Sequence, residues 1–394
     1  MPWRLHSPMF QRLAFVEDAQ RGLYAMTELC ARYGISRRVG YKWLARYEAE
    51  GPDGLVDRPR VATTHPHRTA DDIAAQVLDC RNAHPSWGPR KLLAYLGRRH
   101  PHEVWPAAST VGALLKREGL VRARRRRTPP GHPGRPTTPM EAPNTVWTTD
   151  FKGQFRTGDH VYCYPLTVLD GYSRFLLACR GLHSTGTDGA RGVFERLFRD
   201  YGLPERIRSD NGVPFATTGL ARLSTLSVWW IKLGITPELI QPSAPQQNGA
   251  HERMHKTLKA EATKPPRANV RAQQRRFDAF RQEYNTERPH EALGNVTPAS
   301  CYVPSPRPYP ARLVAPEYPG HYEVRRVGGN GGVWWRHEWV NVSHVLLGES
   351  IGLEEIADGI WSVYFGPKLL GRFDERDRRI RGAHNRNIVP PSSP

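Results

Sequence analysis

The sequence predicts a multidomain chain: an all-α N-terminal part, an α/β centre and a small antiparallel β domain at the end. Three observations predict it. Up to about residue 120, apolar residues recur at helical spacing with turn glycines between the runs. Between about 141 and 302, strand-like runs alternate with helical ones. From about 321, short alternating segments rich in Trp, Tyr and Val are separated by Gly-rich turns, after a Pro-rich stretch at 303–320. A chain of 394 residues suits roughly two to four domains, and 39% apolar residues suffice for ordinary cores.

Residues 1–60 read as one helix-turn-helix domain. Met26, Leu29, Cys30 and Tyr33 share a helical face. Gly34 suits the tight turn, Ile35 the small core and Ser36 the N-cap of the next helix, over 37–50. Val39, Trp43, Leu44 and Tyr47 would then face inward. Arg37, Arg38, Tyr41 and Lys42 would lie outward near the N-terminal end, where a recognition helix meets base edges. The same pattern also describes a helical hairpin used only for packing; the basic outer face favours DNA. Gly51-Pro-Asp-Gly54 breaks the helix.

Residues 61–121 read as a second helical domain. Ile73, Val77 and Leu78 form one stripe, His84 to Lys91 is a turn leading into a helix to about 99, and Trp105-Pro106 starts a third helix stopped by Gly119. Trp87 and Trp105 are assigned to the core. His65, His67, Cys80 and His84 match no standard zinc spacing, so a zinc site is not expected. Residues 122–140 form a basic linker, in which Arg124, Arg125, Arg126 and Arg127 would track phosphates without reading sequence.

In the centre, 141–302, the expected elements are a strand ending at Asp150, a hairpin of 161–169 and 175–180 around Asp170-Gly-Tyr-Ser173, and a helix over 187–201. A short strand before Asp210 follows, then a helix over 220–233, a strand over 235–240, a helix over 246–262 and a long helix from 272. Three carboxylates stand at junctions of these elements: Asp150 at a strand end, Asp210 where a strand enters a turn, and Glu252 where a loop becomes a helix. Hard cations such as Mg²⁺ take oxygen ligands, and two of them can serve an in-line phosphoryl transfer. Taken singly, Asp150 could be bonded to backbone and Asp210 could form an Asx-turn with Asn211-Gly212. Their order and spacings, 60 and 42 residues, favour a shared metal site. Asp170 precedes a Gly and is read as a turn cap, and Asp159 and Asp188 carry no catalytic weight. Lys256 and Lys259 share the Glu252 face of their helix, either to grip DNA or as a plain surface Glu–Lys pair, with Asn248 as a DNA contact at a flexible entry. His251 and His255 flank Glu252 as candidate DNA contacts, not general bases.

After the 303–320 linker, residues 321–380 are expected to form a small antiparallel β-barrel, with strands near 322–325, 331–336, 339–342, 360–365 and 369–373, and 381–394 a disordered tail. Trp334, Trp335, Arg336 and His337 are candidates for nucleic-acid stacking, with at least one Trp in the core.

A formal charge of +19 points to a polyanionic partner. Only 9 of the 57 basic residues are Lys, so Arg-rich codon usage alone accounts for part of it. Five scattered cysteines without a CxxC pair argue against a disulfide framework and fit a reducing cytosol. No run is long enough to span a bilayer, and the first residues lack the apolar region of a signal peptide. Trp147-Thr-Thr-Asp150, Arg208-Ser-Asp210-Asn-Gly212, Gln246-Gln-Asn-Gly-Ala-His-Glu252 and Tyr284-Asn-Thr-Glu-Arg-Pro-His290 resemble the DDE transposases of bacterial insertion sequences that share the retroviral-integrase catalytic core. The resemblance covers roughly residues 10–300. It implies a ribonuclease-H-like core, with Asp150, Asp210 and Glu252 as catalytic metal ligands for two Mg²⁺ ions, or Mn²⁺ in their place. It also implies basic residues at 256 and 259 for gripping element-end DNA, and a structural role for the 284–290 motif, with Arg288 and His290 as secondary DNA candidates. The absence of a His/Cys zinc site departs from retroviral integrases. The expected partners are double-stranded DNA, terminal repeats and target alike, and further copies of the chain in a dimer or larger assembly. An accessory ATPase is an open option; no membrane is expected, and the expected place is the bacterial cytoplasm, at the nucleoid. The rivals are a catalytically inactive, transposase-derived repressor, and a serine or tyrosine recombinase, which would need a hydroxyl nucleophile among arginines.

Overall fold

The computed structural model describes residues 7–58, 69–121, 138–241 and 245–382. It divides into two compact units, Met1–Thr69 and Ala70–Pro394.

In the first unit, α1 (Pro8–Gln20), α2 (Met26–Arg32) and α3 (Arg37–Glu50) enclose Phe15, Val16, Leu29, Cys30, Trp43 and Leu55. The turn between α2 and α3 falls where the sequence placed it. Gly34 has φ +65°, a region open to glycine at little cost. Ser36 Oγ then accepts from the Val39 N–H at 3.4 Å, capping α3. Gly40 is the close-approach point, since a Cβ there would lie 2.7 Å from Cys30 Sγ. Sequence reasoning did not anticipate α1, which begins behind the N-cap Ser7 with Pro8 in its first turn.

The second unit opens with α4 (Asp71–Ala83), α5 (Pro89–Arg99) and α6 (Ala108–Arg117), packed around Val77, Trp87, Leu92, Leu96, Val111 and Leu115. Trp87 is fully buried and Trp105, partly buried, packs against the same cluster, the core role expected of both.

The central sheet comprises β1 (Val146–Phe151), β2 (Phe155–Arg156), β3 (Tyr162–Asp170), β4 (Leu176–Leu182), β5 (Arg206–Ser209) and β6 (Thr236–Leu239). β1 pairs antiparallel with β3 and parallel with β5. β4 pairs antiparallel with β3 and β6 parallel with β5, while β2 adds a short antiparallel pair to β3. Between and after these strands come α7 (Thr187–Tyr201), α8 (Thr225–Lys232), α9 (Gly249–Glu261) and α10 (Val270–Thr286). Strand side chains alternate between two layers. Trp147, Leu166, Val168 and Ile207 pack with Phe194, Phe198, Trp229 and Trp230 of α7 and α8. Cys163, Leu169 and Leu176 pack with Met254 and Leu258 of α9 and Phe277, Phe280 and Tyr284 of α10.

Two helices differ from expectation. The helix expected over 220–233 is broken: a 3-10 turn, Leu220–Arg222, has φ +50° at Ala221, and α8 starts afresh behind Ser224, whose side chain and that of Ser227 cap each other's backbone N–H. The helix expected from 246 begins at Gly249, after a 3-10 turn, Pro245–Asn248.

The C-terminal region contains β7 (Glu323–Arg326), β8 (Gly332–Trp335), β9 (Glu338–Asn341), β10 (Ser350–Ala357), β11 (Ile360–Phe365), β12 (Lys368–Asp374) and β13 (Arg379–Gly382). The expected antiparallel β region is present, without the closure of a barrel. Among the described residues the strands form an open antiparallel sheet, β13-β12-β11-β10-β7, and a separate ribbon, β8-β9. Closure is not needed to bury the apolar face. Val333, Trp335 and Val340 of the ribbon share a core with Leu353, Trp361, Val363 and Phe373 of the sheet, and with Val228 and Ile231 of α8. The Pro-rich 303–320 segment packs on the central α/β region: Arg307 donates to the carbonyls of Pro204 at 2.9 Å, Leu233 at 3.1 Å and Gly234 at 2.9 Å.

Candidate active site

Asp150 and Asp210 are brought together by strand register. In the parallel β1–β5 pair Thr148 stands beside Arg208; two residues on come Asp150, within β1, and Asp210, just past the end of β5. Parallel neighbours lie about 4.8 Å apart, so the two side chains share one sheet edge at the strand C-termini. Asp210 Oδ1 accepts from the Gly212 N–H at 3.2 Å, the Asx-turn geometry, while Asn211 Nδ2 donates to the Ile240 carbonyl at 2.9 Å. The turn therefore anchors Asp210 without excluding it from the site. Glu252 is exposed in the first turn of α9, the helix packed against β1.

Electrostatics links the three. Burial and then the negative charge of Asp210 push the Asp150 carboxyl from 3.8 up to about 7; Glu252 adds to this and Lys152 opposes it. Asp150 thus registers both other carboxylates. Among the described residues, no three His, Cys, Asp or Glu side chains are gathered closely enough to form a finished metal cage. The donor set itself, all carboxylate oxygen with its charges repelling, fits a hard divalent cation.

Behind Asp150 lies a buried polar cluster. His251 is fully buried and His255 is 7% exposed, so neither is the DNA-surface residue expected. His255 Nδ1 lies 3.6 Å from Asp150 Oδ2, an ion-pair distance. Burial nevertheless lowers the imidazole to about 3, with Lys152 adding to the effect, so His255 stands neutral beside Asp150. Burial, with His255 close by, holds His251 well below the ordinary histidine range too. Sequence reasoning missed Thr167, the partner of both rings. The signal available for it was His251 and His255 at i and i+4, one helical face turned toward the sheet.

The remaining candidates fall into several environments. Arg37, Arg38, Tyr41 and Lys42 are exposed on α3, with the Lys42 ammonium also 4.2 Å over the Trp43 ring. Lys256 and Lys259 are exposed on α9. Asn248 is only 6% exposed, at the N-terminus of α9, and its Oδ1 has no hydrogen-bond partner among the described residues. Arg124, Arg125, Arg126 and Arg127 lie outside the described residues. Trp335 is buried, whereas Trp334 is 65% exposed on the ribbon. Asp170 is the turn cap expected, fully buried and accepting from the N–H of Asn144 and from both the N–H and the hydroxyl of Ser173. Arg288 is buried and forms a two-point pair with Glu261, at 2.9 and 3.0 Å, the structural role given to its motif. Among the described residues no helix is long and apolar enough to cross a membrane.

Comparison with known proteins agrees with this geometry. Integrase core domain models match residues 140–245 and 233–298. A helix-turn-helix domain model matches 11–60 and a homeodomain-like model 39–115. The chain is 27% identical over 244 residues to the Insertion element IS407 uncharacterized 31.7 kDa protein of Burkholderia multivorans, covering 59% of this chain and 82% of that one. It is 27% identical over 256 residues to the Insertion element IS476 uncharacterized 39.2 kDa protein of Xanthomonas euvesicatoria, covering 64% and 70%. It is 33% identical over 122 residues to the Gag-Pol polyprotein of Feline leukemia virus, which covers 31% of this chain but only 7% of the polyprotein.

Proposed function

This chain belongs with the bacterial insertion-sequence transposases that carry an integrase-like core, and from that premise we propose that it cleaves the ends of its element and joins them to target DNA. The observation that carries the reading is the strand register that puts Asp150 and Asp210 at one sheet edge, with Glu252 on the helix packed against β1; burial and Asp210, with Glu252 adding to the effect, push the Asp150 carboxyl up to about 7. Three carboxylates left to repel one another are what a cation site requires of its ligands before the cation arrives. Asp150, Asp210 and Glu252 would hold Mg²⁺ or Mn²⁺, two ions per site. When bound, such a pair supplies Lewis-acid activation of the attacking oxygen and charge stabilisation of the leaving one.

In the proposed sequence of reactions, water displaces the 3′ oxygen at one phosphodiester of the element end and frees a 3′-OH. That hydroxyl then attacks a target phosphodiester in line, so one P–O bond forms as another breaks and no covalent enzyme–DNA adduct arises. Lys256 and Lys259, exposed on the helix of Glu252, would grip the backbone of the end DNA. Arg37, Arg38, Tyr41 and Lys42 would read the terminal repeat from α3, and Arg124 to Arg127 would add phosphate contacts. Two element ends need two sites, hence at least a dimer on DNA; no step requires an ATPase.

The test is to incubate the protein with a labelled duplex carrying the element's own terminal repeat and Mg²⁺ or Mn²⁺, beside Asp150→Asn. The expected outcome is a nick exposing a 3′-OH and joined products from the native chain, with undiminished DNA binding but no product from the variant. Joining at the native rate by Asp150→Asn would refute the triad. Specific binding without any metal-dependent product from the native chain would favour a DNA-binding regulator.

A further inference from the structure

Three elements meet at one hydroxyl. Thr167 Oγ1, on β3, lies 3.0 Å from the Asp150 carbonyl oxygen, 2.7 Å from His251 Nε2 and 2.7 Å from His255 Nε2. Thr167 is also the register partner of Asp150 across the β1–β3 pair. A hydroxyl has one proton and two acceptor lone pairs. It is saturated here by donating to the Asp150 carbonyl and accepting from the Nε2–H of each imidazole. That assignment leaves His251 Nδ1 as an acceptor for the Thr148 hydroxyl at 2.9 Å, shorter than the 3.3 Å from the same hydroxyl to the Leu169 carbonyl, and leaves His255 Nδ1 unprotonated, 3.6 Å from Asp150 Oδ2. Thr148, Thr167, His251 and His255 are all buried, so none of these bonds competes with bulk water.

The consequence lies in what this group ties together. His251 and His255 are one helical turn apart on α9 and both face the sheet; Glu252 sits between them in sequence, on the exposed side. Fixing both rings to one strand hydroxyl fixes the rotation and height of the turn that carries Glu252. The same hydroxyl fixes the backbone of Asp150. We propose that Thr167, with His251 and His255, is a positioning clamp that sets Asp150 against Glu252 and so governs how tightly the carboxylate site holds a divalent cation. The inference rests on the carboxylate reading above. The three are positioning residues, acting through Asp150 and Glu252.

The experiment is a Mn²⁺ titration of the full chain, reading free Mn²⁺ by electron paramagnetic resonance, for the native protein, Thr167→Val, Thr167→Ser, His255→Leu and Asp150→Asn. Valine keeps the branched shape that suits a strand and removes only the hydroxyl. Leucine at 255 keeps a helix-compatible side chain and removes the Nε2–H donated to that hydroxyl. Loss of a residue that orients a ligand weakens metal binding by about 10–100-fold; that is the expected fall for Thr167→Val and His255→Leu, at unchanged circular dichroism and unchanged affinity for terminal-repeat DNA. Thr167→Ser should restore the native midpoint. Native Mn²⁺ affinity in both Thr167→Val and His255→Leu, with Asp150→Asn impaired, would overturn the clamp and leave the triad standing. Native affinity in Asp150→Asn would instead overturn the triad. Should Thr167→Val fail to fold, His255→Leu alone decides, because it leaves Thr167 in place and removes one of the two imidazole donors to its hydroxyl.

Discussion

At neutral pH the Asp150 carboxyl stands near its own midpoint of about 7, whereas His255 beside it is depressed to about 3. Burial opposes the charged form of each, and the charged form is the high-pH one for Asp150 and the low-pH one for His255. The two therefore act on stability with opposite sign. Asp150 has a folded pKa above its ordinary 3.8, so its contribution is complete below 3.8 and is lost as the pH rises through 7. Asp150→Asn should accordingly stabilise the metal-free protein by about 1–3 kcal/mol at pH 8, discounted for its partial exposure. Urea unfolding in a chelator at pH 8 and pH 5 checks this, and an equal gain at both would contradict it. His255 has a folded pKa below its ordinary 6.5, so its contribution is present above 6.5 and is lost as the pH falls toward 3. His255→Gln should flatten the fall in melting temperature between pH 6.5 and 4 relative to the native chain. A parallel curve would show that His255 does not titrate in the acid transition.

The elements show what local sequence can and cannot disclose. α3 was legible to the residue because Gly34 and Ser36 act through their own backbone, at the turn and at the cap. The break before α8 carried a signal of the same kind, Ser224 three residues ahead of Ser227, hidden because the apolar period runs on across it. β10 contains Glu354, Glu355 and Ala357, poor strand formers, and is a strand because β7 and β11 flank it. Asp150, Asp210 and Glu252 were legible as junction residues, but the Thr167 cluster joins positions 84 and 88 apart in the chain, and no local pattern encodes such a meeting. The same holds for the contact between α5, α9 and the turn after α10. There Glu261 takes both oxygens to the buried Arg288, accepts from the Ser86 hydroxyl and, ahead of Glu291, offsets the desolvation of Lys91, whose pKa burial lowers to about 8. Glu261→Ala would leave a buried guanidinium without its anion and a half-buried ammonium with Glu291 alone. Removing one partner of such a pair costs about 3–5 kcal/mol. Denaturant unfolding of the variant measures it, and a loss below 1 kcal/mol, the scale of a surface pair, would show that water already screens the contact.

At the scale of the whole molecule, the proposed function puts reading and reaction in different compact units. The exposed basic residues of α3 belong to Met1–Thr69, and the three carboxylates to Ala70–Pro394. The first unit has a core of its own, from Phe15 and Val16 to Trp43 and Leu55, while Trp147, Met254 and Trp361 belong to cores made wholly within the second. Removal of residues 1–69 therefore takes no apolar residue from the cores around the carboxylates. A chain starting at Ala70 should unfold in one cooperative transition at the native midpoint and should bind Mn²⁺ like the full chain. It should also keep salt-sensitive binding to DNA, since phosphate contacts by the remaining basic residues do not depend on base sequence. Its preference for the terminal repeat over random duplex should collapse, because base-edge contacts set that ratio, commonly 10³ or more for a specific site. Competition binding at fixed salt separates the two quantities. If the shortened chain still prefers its repeat by the native ratio, sequence is read within 70–394, and the exposed α3 residues serve another purpose.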